Sequence, residues 1–453
     1  MTPLRRLTLV LPRPYGVGGQ RRLASHWPPG LEPLVERRLW DSATPGPLAV
    51  AALTPPSMEV EFIDEARQSI DWDREYGLVG IYAVTHQAPR AYDLARRFAR
   101  KGARVVLGGV HPTLLPQEAA GYADAVVVGE AEDVWEQVVE DYLCDRLGGV
   151  YRAPAPPSLA RSPVPRFDLI EPGLYRVLPI QTARGCPHAC EFCNLPELYG
   201  RGYRAKEIGA VVNEIAVLRR FHPRSTIYLT DDNLFVSHAR SRELLQALLP
   251  LGLRLYANSD LSLADDGGLL ELAARAGLRQ VLVGLESLSP ASLTGLGPSG
   301  FKHRRLKEYG QAVRRIQSRG IGVVGSFVLG LDGDDASIFE AVLDFAASTR
   351  LYGVSLTVQT PFPGTRLFRR LEAEGRVLTR DWNLYTIFEV VMQPLNLTVE
   401  GLRRGHAWLI EQLNRPDLLA QRAAFFLEVQ RRTARGATGA GGARPAAAGG
   451  GQP

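Results

Sequence analysis

The chain has 453 residues, of which 45% are hydrophobic, with 53 Lys and Arg against 48 Asp and Glu. That length can bury more than one core and predicts two or three units, while an excess of +5 without a long basic block leaves no electrostatic footprint for nucleic acid. The apolar run Leu7 to Leu11 is too short for a membrane span or a signal-peptide core, and four cysteines, three of them within eight residues, fit a metal or redox site in a reducing, cytoplasmic compartment rather than a secreted disulfide scaffold.

From Leu7 to about Leu143 short apolar runs alternate with helical stretches: LTLVL at 7, MEVEFI at 58, LVGIYAV at 78, ARVVLGG at 103 and ADAVVVG at 123. Near-continuous apolar strands between helices, here over 91–100 and 132–143, predict a parallel sheet covered on both faces, hence a doubly wound domain over 1–145. Tyr151 to Pro165, YRAPAPPSLARSPVP, is Pro-rich and weakly patterned, which predicts an extended linker over 146–170. A second alternation begins at Val177, with strands expected near 177, 225, 253, 279, 321 and 352 and helices over 206–220, 242–248, 268–276, 306–318 and 338–348. Six β/α units over 171–370 imply a partial (β/α)6 TIM-like barrel whose reactive groups lie at the C-terminal strand ends. Residues 371–433, around Trp382, Tyr385 and Phe388, read as a helical C-terminal cap, and the Ala, Gly and Pro of 434–453 as a disordered tail. The fold class is α/β: a Rossmann-like domain, a partial barrel and a cap.

The chemistry concentrates in Gln181-Thr-Ala-Arg-Gly-Cys186-Pro-His-Ala-Cys190-Glu-Phe-Cys193, directly after the first barrel strand. Three thiolates on one loop can hold three corners of a 4Fe-4S cube and leave the fourth iron open to a ligand. The bland alternative is a zinc knuckle. Structural zinc wants four protein ligands, however, and His188 has too little chain slack between the cysteines to be the fourth. Cys144, at the end of a helix, reads as a buried inert thiol.

Cys186-x3-Cys190-x2-Cys193, with an aromatic residue before the last cysteine, resembles the signature of the radical S-adenosylmethionine superfamily. With GGVHPT at 108 and VVVGEAE at 126 in a preceding doubly wound domain, the chain to about residue 415 looks like the branch with an N-terminal cobalamin-binding domain. The resemblance implies a 4Fe-4S cluster on Cys186, Cys190 and Cys193 and an S-adenosylmethionine site at the strand ends. Phe192 would supply loop packing and a backbone contact to adenine. Glu286, after VLVGL, would contact adenosylmethionine, or be a solvated strand-end carboxylate. Asp231 and Asn233 would lie near cofactor and substrate, or cap the following helix. Gly325 and Ser326 would give the adenosyl group a close approach to the fifth strand, and Gly364 would serve a turn. After GLES the sequence departs from the family pattern, LGPSGFK standing where Lys and Asn are common.

For cobalamin the resemblance points to Thr85, Gly108, Gly109, His111, Gly129 and Glu130, all at strand C-termini where open α/β sheets bind ligands. The alternative is ordinary tight turns, with His86 and His111 as structural histidines. Many such domains carry an Asp-x-His-x-x-Gly loop after the first strand. Pro12 to Gly19 has no histidine, so a base-off cobalamin without a histidine ligand is expected.

The implied activity is generation of a 5′-deoxyadenosyl radical followed by cobalamin-dependent methylation of an unactivated carbon in a small or lipid-like substrate. An external donor such as flavodoxin or ferredoxin would supply the electron. The alternatives are a radical cyclisation, oxidation or rearrangement without methyl transfer, and a non-enzymatic cluster or cobalamin-binding electron carrier. A methylthiotransferase would need a second cysteine triad, and only Cys144 remains.

Overall fold

The computed structural model describes residues 4–14, 42–200, 202–297 and 300–439. The first sheet has six strands, all parallel: β1 (Arg6–Leu11), β2 (Glu59–Asp64), β3 (Leu78–Tyr82), β4 (Arg104–Gly108), β5 (Ala125–Val128) and β6 (Gly149–Arg152), in the order β2-β1-β3-β4-β5-β6. The order reverses direction between β1 and β3, which opens a crevice beyond their carboxyl ends. Residues read as the start of a linker are therefore an edge strand: Val150 to Arg152 pair with Val126 to Val128. A four-residue, mostly exposed strand has no apolar alternation to betray it, and its partner strand decided it.

Helices cover both faces of this sheet. α1 (Pro45–Leu53) was not expected from the sequence and lies on one face with α3 (Trp135–Leu143); α2 (Ala88–Arg100) lies on the other. α2 buries Ala91, Leu94, Ala95 and Phe98, an i, i+3, i+4, i+7 stripe, carries Pro89 in its first turn and ends before Gly102, whose φ is +82°. Cys144, just past α3, is exposed rather than buried. It ends a helix whose buried stripe runs through Trp135, Val138, Val139 and Tyr142 and leaves position 144 off the apolar face.

The second sheet also has six parallel strands: β7 (Val177–Ile180), then, after the short antiparallel pair β8 (Ala183–Arg184) and β9 (Arg204–Ala205), β10 (Thr226–Leu229), β11 (Leu255–Ser259), β12 (Leu278–Glu286), β13 (Gly322–Leu329) and β14 (Gly353–Val358). Strand neighbours follow chain order, the arrangement of an incomplete barrel. Its outer layer is α4 (Ile208–Phe221), α5 (His238–Leu248), α6 (Gly267–Arg275), the short α7 (Phe301–Arg305), α8 (Tyr309–Gln317) and α9 (Ser337–Thr349). The cap comprises α10 (Arg366–Ala373), α11 (Val399–Leu413) and α12 (Pro416–Gly439). α12 carries helix past residue 434, where the composition predicts the start of a disordered tail; residues 440–453 lie outside the described residues. Among the described residues no helix is long and apolar enough to cross a membrane.

One continuous apolar core runs from the α1 face of the first sheet into the barrel, joining Leu9, Leu48 and Trp135 to Leu178, Ile180 and Val281. The two sheets are thus held with their strand ends facing a shared space.

Candidate active site between the two sheets

The cysteine loop is inserted between β8 and β9, so an antiparallel pair pinches its base. Gly185 turns the chain out of β8 at φ +96°, and a Cβ there would lie 2.0 Å from the Gly202 carbonyl oxygen, so no other residue fits. Ala189 also has positive φ, +44°. Several bonds fix the loop. Asp231, beyond β10, accepts from the Thr182 amide at 2.6 Å, the Thr182 hydroxyl at 2.5 Å and the Ala183 amide at 3.0 Å. Asp232 accepts from the Gly185 amide at 2.9 Å. His188 Nε2 meets Asp260 Oδ2 at 2.7 Å, and Asp260 also accepts from Asn233 Nδ2 at 2.9 Å. Glu191 is held by Arg370 at 2.7 Å.

Cys186, Cys190 and Cys193 are half-buried, free thiols. Burial pushes all three up, Cys190 to about 11 and Cys193 to about 12, with each other's charge adding to the shift at Cys193. Such thiols ionise readily only against a strong local cation, which is what iron supplies. His188 turns its Nε2 to Asp260 rather than toward the three thiols' loop interior as a free group.

The remaining expected contacts divide. Asp231 is buried with both oxygens occupied by the strand that leads into the cysteine loop, and Asn233 gives one N–H to Asp260 and accepts from the Phe235 amide. Both position the loop. Burial raises the Asp231 carboxyl to about 6. At Gly325 a Cβ would meet Leu351 at 2.9 Å and Leu285 at 3.2 Å, so the glycine lets these side chains pack close to β13, whereas half-buried Ser326 lies in register between Gly284 and Ser355 on the opposite face. Phe192 packs against the barrel core. Glu286 sits at a register shift with φ +67° and pairs with Lys302, whose Nζ also donates to the Gly284 carbonyl at 2.6 Å. A side chain at position 284 would collide with this pair. Burial pushes Lys302 down, but Glu286 and Cys190 hold it above its ordinary value. Lys302 stands in the segment where the sequence departs from the family pattern, so no motif pointed to it.

On the first sheet, Gly108, Gly109, Gly129 and Glu130 line a cavity of about 210 Å³ that also touches Gln181, Arg184 and Tyr199 of the barrel. The cavity reaches inward along the α1 face past Leu9, Gly80 and Trp135. Gly109 and Gly129 have φ of +97° and +81°; a Cβ on Gly129 would meet nothing within 4 Å and project into open space. Thr85 and His111 do not line it. Thr85 is buried with a hydroxyl that has no partner among the described residues; His111 is wholly buried, bonded to Glu118 at 3.1 Å and packed edge-on to Trp382 of the cap. Burial pushes His86 down to about 4. The loop after β1 lies outside the described residues beyond Pro14, and with it most of the segment expected to lack an axial histidine. Glu130 is part of a buried charge cluster: it pairs with Arg184 and Arg204, and Arg184 also donates to Glu132 at 2.6 Å. Arg184, Asp232, Asp260 and Lys302 were not singled out in the sequence. Each acts through a partner far along the chain.

A model of the radical SAM superfamily matches residues 180–346, and one of the B12 binding domain matches residues 57–139. The bacteriochlorophyllide d C-12(1)-methyltransferase of Chlorobaculum tepidum is 30% identical over 384 residues, 83% of each chain. The anaerobic magnesium-protoporphyrin IX monomethyl ester cyclase of Rubrivivax gelatinosus is 26% identical over 424 residues, 84% of this chain and 72% of the relative. The radical S-adenosylmethionine methyltransferase TsrM from Kitasatospora setae shares the fold, with a TM-score of 0.62 at 21% identity over 83% of this chain and 77% of that one. The cofactor set is accordingly a 4Fe-4S cluster, S-adenosylmethionine and cobalamin. The chain belongs to the radical S-adenosylmethionine superfamily, in the branch that carries an N-terminal cobalamin-binding domain.

Proposed function

We propose that this chain is a cobalamin-dependent radical C-methyltransferase acting on an unactivated carbon of a largely apolar small molecule, in a reducing cytoplasm. The observation that carries the reading is that one cavity is lined both by the glycine-rich ends of the first sheet and by the residues leading into the cysteine loop. When bound, the cluster and cobalamin supply the electron that cleaves adenosylmethionine to a carbon radical and a metal centre that carries methyl.

The protein's own contribution is position. Cys186, Cys190 and Cys193 would hold three irons, and the Asp231, Asp232 and His188 bonds fix the loop that bears them. Glu286 and Lys302, a paired carboxylate and ammonium beside that loop, would receive the amine and carboxylate ends of adenosylmethionine, with Ser326 on the inner barrel face. Gly108, Gly109 and Gly129 would let the cobalamin approach the backbone, and the apolar slot past Gly80 would exclude water from its tail. The cyclase relative favours a second reading, radical ring closure without methyl transfer.

Anaerobic reconstitution with iron, sulfide and hydroxocobalamin, followed by incubation of cell-extract metabolites with trideuteromethyl-labelled adenosylmethionine, separates the two. Labelled methyl in a product supports methylation; 5′-deoxyadenosine with a consumed, unlabelled substrate supports cyclisation. Alanine at Cys186, Cys190 or Cys193 is expected to abolish the cluster absorbance, while Cys144→Ala keeps it.

A further inference from the structure

The small net charge of the chain conceals a local excess. Residues 302–319 hold seven Lys and Arg against one Glu. Three of these cations are answered: Lys302 by Glu286, Arg305 by Asp265 and Glu308, and Arg319 by Glu271. Lys307 and Arg314 are exposed and make no ion pair among the described residues, and exposed Arg315 donates to the Ala264 carbonyl at 2.8 Å, which leaves its charge uncompensated. Exposed Arg304 lies on the same run.

This face begins directly over the cysteine loop. The Phe301 ring stacks on His188 with centroids 4.9 Å apart, and the Leu296 carbonyl accepts from the Glu191 amide at 2.9 Å. Gly297 lies so close that a Cβ would stand 3.0 Å from the His188 carbonyl oxygen and 3.8 Å from the Cys190 Cα. One thickness of chain therefore separates the loop from the segment that leads into the basic face. No large exposed apolar residue occurs between 301 and 319, so the face has nothing to insert into a lipid surface.

We propose that the outer face of α7 and α8 docks an acidic protein carrier of the flavodoxin class, from which one electron passes to the oxidised cluster. The carrier is oxidised by one electron, the cluster is reduced by one, and no bond forms or breaks. The proposal rests on the cluster reading above. Complementary charge acts mainly on encounter rate, and its effect fades with salt.

The test uses the full chain, reconstituted with iron and sulfide, and photoreduced flavodoxin in a stopped-flow instrument that follows bleaching of the cluster. In Lys307→Glu/Arg314→Glu, the second-order rate at low ionic strength should fall about tenfold or more, and the salt dependence of the parent should flatten. Bleaching by dithionite should be unchanged. Equal flavodoxin rates in parent and variant would overturn the proposal, as would equal slowing with dithionite. Salt-sensitive binding to phosphatidylglycerol vesicles that the variant loses, with no change in flavodoxin rate, would assign the face to a membrane instead. A parent chain that takes up no cluster would overturn the functional reading, not the docking face.

Discussion

Arg184, two residues before Cys186, is ion-paired with Glu130 at the end of the first sheet, so the cysteine loop and the glycine-lined cavity share one buried charge. Both side chains are at most 10% exposed, and Glu130 also answers Arg204. Without Glu130, Arg184 keeps Glu132 and Arg204 keeps the Pro157 carbonyl, so each cation loses one charged partner and is not stranded. Glu130→Ala should therefore cost about 1–3 kcal/mol, and Arg204→Ala added to it should cost less than the two single changes together. Denaturant unfolding of the four proteins in this cycle measures the coupling; strict additivity would show that the contacts carry none.

Asp231 sets a pH dependence. Its folded carboxyl titrates at about 6, above the ordinary value near 4, because burial disfavours the charged form more than its bonds to Thr182 and Ala183 favour it. Between those values the folded chain binds more protons than the unfolded chain. Asp231 thus contributes most stability below about pH 4 and loses it as pH rises through about 6, by about 1–3 kcal/mol in all. Asp231→Asn can keep every bond, with its amide donating to the Thr182 hydroxyl, and should flatten that part of the profile. Thermal unfolding between pH 4.5 and 7 tests it: a parent and a variant with parallel profiles would be the contrary result.

The two left-handed glycines should respond differently to alanine. At Gly129 the cost is backbone strain alone, about 1–2 kcal/mol, and the methyl group enters the cavity. Folding should survive while less hydroxocobalamin stays with the protein on gel filtration. At Gly109 a Cβ would lie 2.7 Å from the Tyr82 ring, so overpacking adds to strain and the loss should exceed about 2 kcal/mol. Full cobalamin retention by Gly129→Ala would remove that glycine from the binding surface.

Glu286 and Lys302 form a pair whose two uses can be told apart. If Glu286 contacts adenosylmethionine, Glu286→Ala keeps its iron but binds adenosylmethionine more weakly by about 1–3 kcal/mol. Lys302→Met leaves the carboxylate buried without its cation and should lower both affinity and melting temperature. Calorimetric titration of the cluster-loaded proteins gives the affinities. An unchanged affinity with a lowered melting temperature would confine the pair to holding β12 and α7 together.

Near-continuous apolar strands such as LVGIYAV and RQVLVGLE were readable because a strand buried on both faces must be apolar throughout, and the cysteine spacing because its chemistry is local to one loop. The sequence by itself thus determined two parallel α/β units and the position of the cysteine loop after the first barrel strand. What it could not determine were roles fixed by distant partners. Asp231 reads as a ligand or a cap until Thr182 and Ala183 occupy its oxygens; His111 reads as a cofactor contact until Glu118 and Trp382 enclose it. Gly325 and Ser326 are neighbours in sequence, yet the pleat sends them to opposite faces of β13. β6 is a strand only because β5 offers it a free edge. Hydrogen bonds and ion pairs depend on which groups meet in space, and across more than fifty residues of chain only the packed tertiary structure brings Arg184 to Glu130.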